Sequence, residues 1–323
     1  MTAPAPPFKA DTVGSLLRPK RLMDARAAHK NGTLAEPELH RIEDEEIRQA
    51  VQLHKDVGLQ CCTDGDFRRR HWFMDFIERI DGLRFAEPLP VRFRSADGSV
   101  EFSPPSMKLD GRLKRTKSLT KTDFAQLKPV ADAAGLMPKQ AIPSPTLLHF
   151  RSTRSRMHST IYPDVEVLYE DIAQVYRDEI AALYAAGCRY LQIDETNLPG
   201  HLSDPTLRAE AQKAGEDPDA LVERYAKLIN DSVRDAPDDM TVCMHMCRGN
   251  HAGGWFAEGG YDPVARISFS RIDEAARFVP LEYLALSPQC GFASTIEGNP
   301  LTQDDQKRKL QLVADTAREV WGG

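Results

Sequence analysis

His245 and Cys247 stand two residues apart at the end of an apolar, β-prone run, Thr241 to Asn250, with the sequence TVCMHMCRGN. Side chains two apart on an extended strand point to the same face. The spacing predicts that an imidazole and a thiol leave the strand's C-terminal end side by side. Divalent metals are held by such donors, and Zn²⁺ accepts this nitrogen–sulfur mixture readily. A lone pair of this kind also arises as a buried histidine next to an unreactive core cysteine. A further soft donor shifts the reading toward metal. LEYLAL, at 281–286, reads as another strand and delivers Cys290 to the Pro/Gly-bounded loop SPQCGF, Ser287 to Phe292.

Acids gather at the ends of other strand-like runs. LQCCT leads into Asp64-Gly65-Asp66, and the near-continuous apolar run CRYLQIDE closes on Gln192, Asp194 and Glu195. Buried strands that finish in carboxylates are typical of parallel sheets with chemistry at their C-terminal edge. A structural ion pair is the plain alternative for Asp194 and Glu195. FRRRHWFMDFIERI reads as a helix whose Arg68, Arg69 and Arg70 form either a solvated basic face or an anion-binding one.

These ends must be positioned by alternating strands and helices. Phe8 to Val13 reads as a short strand ending at Gly14-Ser15, and LLRPKRLMDARAAH as a helix with Pro19 near its start. Glu36 to Val57 has the helical period, with Ile42, Ile47, Val51 and Leu53 toward the core. VRFRSADGSVEF looks like a hairpin turning at Asp97-Gly98, while SPPSMKLDGRLKRTKS reads as irregular and basic. Residues 89–119 are therefore an excursion from the main fold. KTDFAQLKPVADAAG is helical, PKQAIPSP is a short strand, Val165 to Ala186 is a long helix, and a helix after Asp217-Pro218 runs through Ile229.

The alternation predicts an α/β fold, a (β/α)₈ TIM-type barrel filling 1–323 as one domain with a hairpin excursion after strand 2. Six strand ends can be counted, and a closed barrel needs eight. The deficit falls between Tyr261 and Leu281, where YDPVARISF and SRIDEAARFV both look helical, so strands 6 and 7 are not found. An open barrel would expose two edges. The favoured reading is a missing segment joined near Phe269-Ser270.

An apolar fraction of 41% with 28% charged residues fits a globular protein with a sizeable core. The net charge of −6 gives no electrostatic reason to expect nucleic acid or an anionic membrane as partner. No signal peptide or membrane span is read, and six cysteines in a chain of 323 residues suit a reducing cytoplasm.

Several motifs occur together and in order: GSLLRP at Gly14 to Pro19, TDGDFRR at Thr63 to Arg69, IPSP at Ile142 to Pro145, QIDE at Gln192 to Glu195, HMCRGN at His245 to Asn250, EGGYDPVA at Glu258 to Ala265, and SPQCGFAST at Ser287 to Thr295. The set resembles the catalytic-domain family of cobalamin-independent methionine synthase, and more closely its short single-domain members. The resemblance implies a zinc-dependent barrel that transfers a methyl group to a thiol, most readily homocysteine to give methionine, through a zinc-bound thiolate. It implies His245, Cys247 and Cys290 as zinc ligands. Asp194 and Asp66 would match the substrate ammonium in the catalytic site. Val13, Gly14 and Ser15 would hold its carboxylate, with Gln192 and Glu195 also lining the substrate site. Asp66 stands where the family more usually has glutamate. The family's fourth ligand, a glutamate ending a sixth strand, and the histidine after its seventh have no counterpart, and Glu258 and Glu282 do not sit in the matching motif.

The implied partners are a small-molecule thiol and a methyl donor, with a methylated folate as one candidate and Trp72 and Trp255 as stacking surfaces for a flat donor. Homo-oligomer formation is left open. Two alternatives stand beside this reading. One is another zinc-thiolate alkyl transfer, with an epoxide or methyl-sulfur donor or coenzyme M as acceptor. The other is a degenerate paralogue that binds without turnover.

Overall fold

The computed structural model describes residues 8–88, 91–95, 98–103, 105–151, 161–198, 204–213, 215, 217–247, 249–251, 254–255, 272, 276, 279–288, 291–296 and 298–322. In chain order the elements are α1 (Lys20–Lys30), α2 (Glu36–Asp56), β1 (Cys61–Cys62), α3 (Met74–Ile77), β2 (Asp81–Pro88), β3 (Val91–Ser95), β4 (Gly98–Phe102) and β5 (Pro105–Lys114). There follow α4 (Lys121–Ala134), β6 (Met137–Pro138), β7 (Gln140–Pro143), α5 (Thr146–Arg151), α6 (Val165–Ala185), β8 (Tyr190–Glu195), α7 (Pro205–Lys213), α8 (Pro218–Val233), β9 (Thr241–Met246), β10 (Asn250–His251), β11 (Gly254–Trp255) and α9 (Gln303–Trp321). The chain packs as two compact units, one of Met1–His71, Asp123–Gln140 and Tyr261–Gly323, the other of Trp72–Thr122 and Ala141–Gly260.

The first unit is held by the apolar stripe of α2. Ile42, Ile47, Ala50 and Val51 are buried at helical spacing, and the last three pack with Leu16, Leu22, Phe67 and Leu310. β1 and β6 pair in parallel, Cys61 opposite Met137. Beneath them lies a polar knot. Fully buried Lys139 donates to Asp11 Oδ2 and to the Thr12 carbonyl, both at 2.7 Å, and the Cys61 thiol donates to Asp11 Oδ1 at 3.1 Å.

His54 continues the α2 stripe into this region. Its ring is fully buried, and neither nitrogen has a hydrogen-bond partner among the described residues. Burial first, and then Lys139, lowers its pKa to about 4, against a partial upward pull from Asp11. The native state therefore holds this imidazole neutral, whereas the unfolded chain protonates it below about pH 6.5. Stability from this group is complete above that value and falls as the pH drops toward about 4. Between pH 7 and pH 5 the wild type is expected to lose about 2 kcal/mol more than a His54→Phe variant, read by urea unfolding. Equal losses would remove His54 from the acid response.

The second unit contains a three-stranded sheet in the order β7-β8-β9. β8 and β9 run parallel with Gln192 opposite Cys243, Asp194 opposite His245 and Glu195 opposite Met246. β8 is almost wholly buried, whereas β9 is half-buried with Met244 and Met246 exposed. α6 lays Leu168, Ile172, Tyr176, Ile180 and Leu183 inward. α8 begins as its sequence indicates, with Pro218 after Asp217, whose side chain caps the Asp219 amide. The hairpin β3–β4 pairs Ser95 with Gly98 at its turn and joins β11 and β10 in a four-stranded sheet.

Several expectations need correction. SPPSMKLDGRLKRTKS is not irregular, because β5 pairs along β2. Met107, Leu109 and Leu113 point inward while Lys108, Asp110 and Lys114 point out. LEYLAL is not a strand. Pro280 starts a 3₁₀ turn over Leu281–Tyr283, and only Leu286 pairs, in a single parallel bridge with Ala10. Phe8 to Val13 likewise forms no strand beyond that bridge. FRRRHWFMDFIERI is helical only over Met74–Ile77. The described strands form four separate sheets, and no closed barrel is present among the described residues. The expected helix YDPVARISF and the proposed join near 269–270 lie outside the described residues. No described helix is long and apolar enough to cross a membrane.

Candidate functional site

In the second unit the register of β8 and β9 builds the donor constellation. Cys243, His245 and Cys247 alternate onto one face of β9. Gln192 and Asp194 occupy the matching positions of β8. Asp194, part-buried and opposite His245 in register, accepts from the Gln192 amide at 2.6 Å, which restrains its carboxylate. The pairing extends one step past β9, where the Cys247 amide donates to the Glu195 carbonyl at 3.2 Å. Cys247 is 3% exposed, so a thiolate there would be shielded from water.

Glu195 is placed differently from Asp194. Its side chain is fully buried and accepts from Thr146 Oγ1 at 2.5 Å, from the Asn197 amide and from the Leu198 amide at 2.9 Å. Asn197 and Ser144 join the same network through Thr146. The carboxylate ties strand end β8 to the loop after β7. IPSP and QIDE thus meet in one buried polar lattice.

The first unit brings together three other loop segments, at 13–16, 63–66 and 291–293. Gly65 and Asp66 both adopt left-handed backbone, with φ of 68° and 59°, a conformation that Asp tolerates better than most side chains. The Asp66 carboxylate, nearly buried, lies 3.3 Å from Arg69 Nη1. Gly14 accepts from Thr63 Oγ1 at 2.6 Å, and the Leu16 amide donates to Gly65 at 3.0 Å. Val13 is buried beside them. Ser15 receives the Phe292 amide on its carbonyl at 3.0 Å and the Ala293 amide on its hydroxyl at 3.3 Å. That hydroxyl still has its own proton to donate. Gly291, at φ 68°, can be nothing larger, since a Cβ would stand 2.4 Å from Ser15 Oγ. Cys290 itself lies outside the described residues.

Arg18 was not singled out by sequence. It donates to the carbonyls of Ala293 at 2.8 Å, Thr295 at 2.9 Å, Asp66 at 3.2 Å and Arg69 at 3.0 Å, stapling two of these loops together. Its signal was its place in GSLLRP. Of the three arginines only Arg70 is exposed, while the other two are held by carboxylates. Arg68 pairs with Glu43 at 3.1 Å and with Asp44, and Arg69 is buried against Asp66. Trp72 is half-buried and packs edge-on to Phe73 at 5.1 Å, and Trp255 sits on β11 opposite Arg94 in register.

The chemistry of the donor pair fits zinc, since His245 and Cys247 offer nitrogen and sulfur from one strand face. Among the described residues no set of three His, Cys, Asp or Glu side chains could hold a metal ion. A complete shell would draw its third donor from beyond them.

The family model for the catalytic domain of cobalamin-independent synthase matches residues 8–252. The uncharacterized protein YxjH of Bacillus subtilis (strain 168) is 37% identical, covering 98% of this chain and 95% of that protein. The crystal structure of a putative vitamin-B12 independent methionine synthase from Listeria monocytogenes is similar with a TM-score of 0.73 and 32% identity, covering 99% of this chain and 100% of that one. A B12-independent methionine synthase from Shewanella sp. W3-18-1, at 17% identity and a TM-score of 0.66, shares the fold. On the family match and the near full-length similarity to YxjH, the chain belongs to the family of cobalamin-independent synthase catalytic domains.

Proposed function

We propose that this protein transfers a methyl group to a small thiol, with homocysteine as the acceptor that the site suits best. The observation that carries the proposal is the register that sets Asp194 beside His245, with Cys247 two residues further along the same chain. In this reading His245, Cys247 and Cys290 hold Zn²⁺. Bound there, the metal would supply the Lewis acidity that keeps a substrate thiol deprotonated at neutral pH. Asp194, oriented by Gln192, and Asp66 receive the substrate ammonium, while the Val13–Ser15 backbone and the Ser15 hydroxyl receive its carboxylate. Glu195 acts by bracing, through its bonds to Thr146 and the 197–198 amides. The donor is a methylated folate or another activated methyl compound.

The match to YxjH spans 368 aligned positions while this chain has 323 residues, so at least 45 positions face a gap in this chain. A gap of that size is consistent with the reading of a barrel short of two strands. It also supports the second reading, a degenerate paralogue that binds metal or thiol without turnover.

Elemental analysis and an S-methylation assay separate the two. About one zinc per chain, with methionine formed from homocysteine and a methyl donor, is the expected result. Zinc without turnover across thiols and donors would favour the degenerate paralogue, and no zinc at all would sink the zinc mechanism and leave the degenerate paralogue standing.

A further inference from the structure

We propose that the β3–β4 hairpin is a positioning element for the donor strand β9, an inference that builds on the zinc reading above. The chain leaving Cys247 reaches this hairpin within a few residues. β10 folds back on β11, with Asn250 opposite Trp255 and His251 opposite Gly254, and β11 pairs with β3, Trp255 opposite Arg94. The buried His251 ring stacks on Phe102 at 4.4 Å between centroids and 24° between planes, and meets Phe93 at 5.5 Å. Phe93 and Phe102 meet edge-on at 6.4 Å. Gly254 makes the approach possible, because a Cβ would stand 2.9 Å from the Arg94 carbonyl.

The same hairpin also grips the chain that leaves β8. Arg94 Nη1 lies 3.0 Å from Asp204 Oδ2, on a carboxylate that is 1% exposed. The other oxygen of Asp204 caps α7 by accepting from the Thr206 amide at 2.9 Å and the Leu207 amide at 3.1 Å. One hairpin thus fixes the segments downstream of both strands whose ends carry Asp194, His245 and Cys247. Loops that leave strand ends are the most mobile part of such a sheet, and donors must be held to within about 0.5 Å to bind a metal well. Phe93, Phe102 and Arg94 hold, and they do not react.

The test compares Phe102→Ala, Arg94→Met and the ring-preserving Phe102→Tyr with the wild type. Zinc transfer to a chromophoric chelator should run about 10-fold faster in Phe102→Ala and Arg94→Met, and return to the wild-type rate in Phe102→Tyr. Amide exchange over 245–251 should quicken in the first two variants while that of α9 stays unchanged. If Phe102→Ala does not fold, Arg94→Met carries the comparison, because its partner lies on another element. Variants with a lowered thermal midpoint but wild-type zinc release and wild-type exchange at 245–251 would overturn the proposal, leaving the hairpin a stabilising element only. A wild-type protein that holds no zinc would defeat the zinc reading, and the exchange comparison alone would then decide the hairpin's role.

Discussion

Replacing Lys139 with methionine is expected to cost about 3–5 kcal/mol of folding stability, measured as a lower urea midpoint with little change in slope. The Lys139 side chain is fully buried and lies 2.7 Å from Asp11 Oδ2, with Asp11 itself only 5% exposed. Removal of the ammonium takes this opposing charge away from a carboxylate in a water-poor interior. The Cys61 thiol and the Thr12 amide, at 3.1 Å and 2.7 Å from Asp11 Oδ1, are neutral donors and cannot replace it. Burial and the Asp11 carboxylate push the Cys61 thiol well above its ordinary range, so it stays a proton donor in this knot. The double variant Asp11→Asn/Lys139→Met is expected to recover part of the loss, since no uncompensated charge remains. A single Lys139→Met variant within about 1 kcal/mol of the wild type would show that water reaches Asp11.

That knot illustrates what the sequence did and did not disclose. Ile47, Val51 and His54 follow one another at helical spacing, so the position of His54 on the buried stripe was legible. Its polar side chain disguised the fact that the stripe continued. Asp11 and Lys139 lie 128 residues apart, and no local pattern links them. β8, α6, the β3–β4 hairpin and the strand bearing His245 were readable because each combines one period with clear breakers at its ends. β5 carried the period of two as well, through Met107, Leu109 and Leu113, but its intervening charges and the preceding Pro-Pro suggested a loop. LEYLAL failed for the opposite reason. Strand propensity was present, yet a strand needs partners, and only Leu286 finds one, in Ala10. Within the site, the residue types were legible while their roles were not. QIDE offered two adjacent carboxylates, and pleat alternation alone separates Asp194, beside His245, from Glu195, turned into the Thr146–Asn197 lattice.

Cys247→Ala is expected to lower zinc content to a small fraction of one per chain and methyl transfer by at least ~10³-fold, the equivalent of about 4 kcal/mol of barrier. The substitution removes a single sulfur from a buried position, so its stability cost is expected near about 1 kcal/mol and the fold survives. Cys243→Ala is the matched control. Cys243 shares the strand and the face with Cys247 but lies opposite Gln192, two positions before the Asp194–His245 pair. On the proposed ligand set, its loss leaves zinc at about one per chain and activity within ~3-fold of the wild type. The pair of variants therefore separates a metal donor from a cysteine that merely packs. If Cys247→Ala kept its zinc and its activity, the H-x-C spacing would mark only a buried histidine beside a core cysteine. If Cys243→Ala lost both, the donor position would lie deeper in β9, and the acceptor thiol would have to approach from the β8 side, next to Gln192.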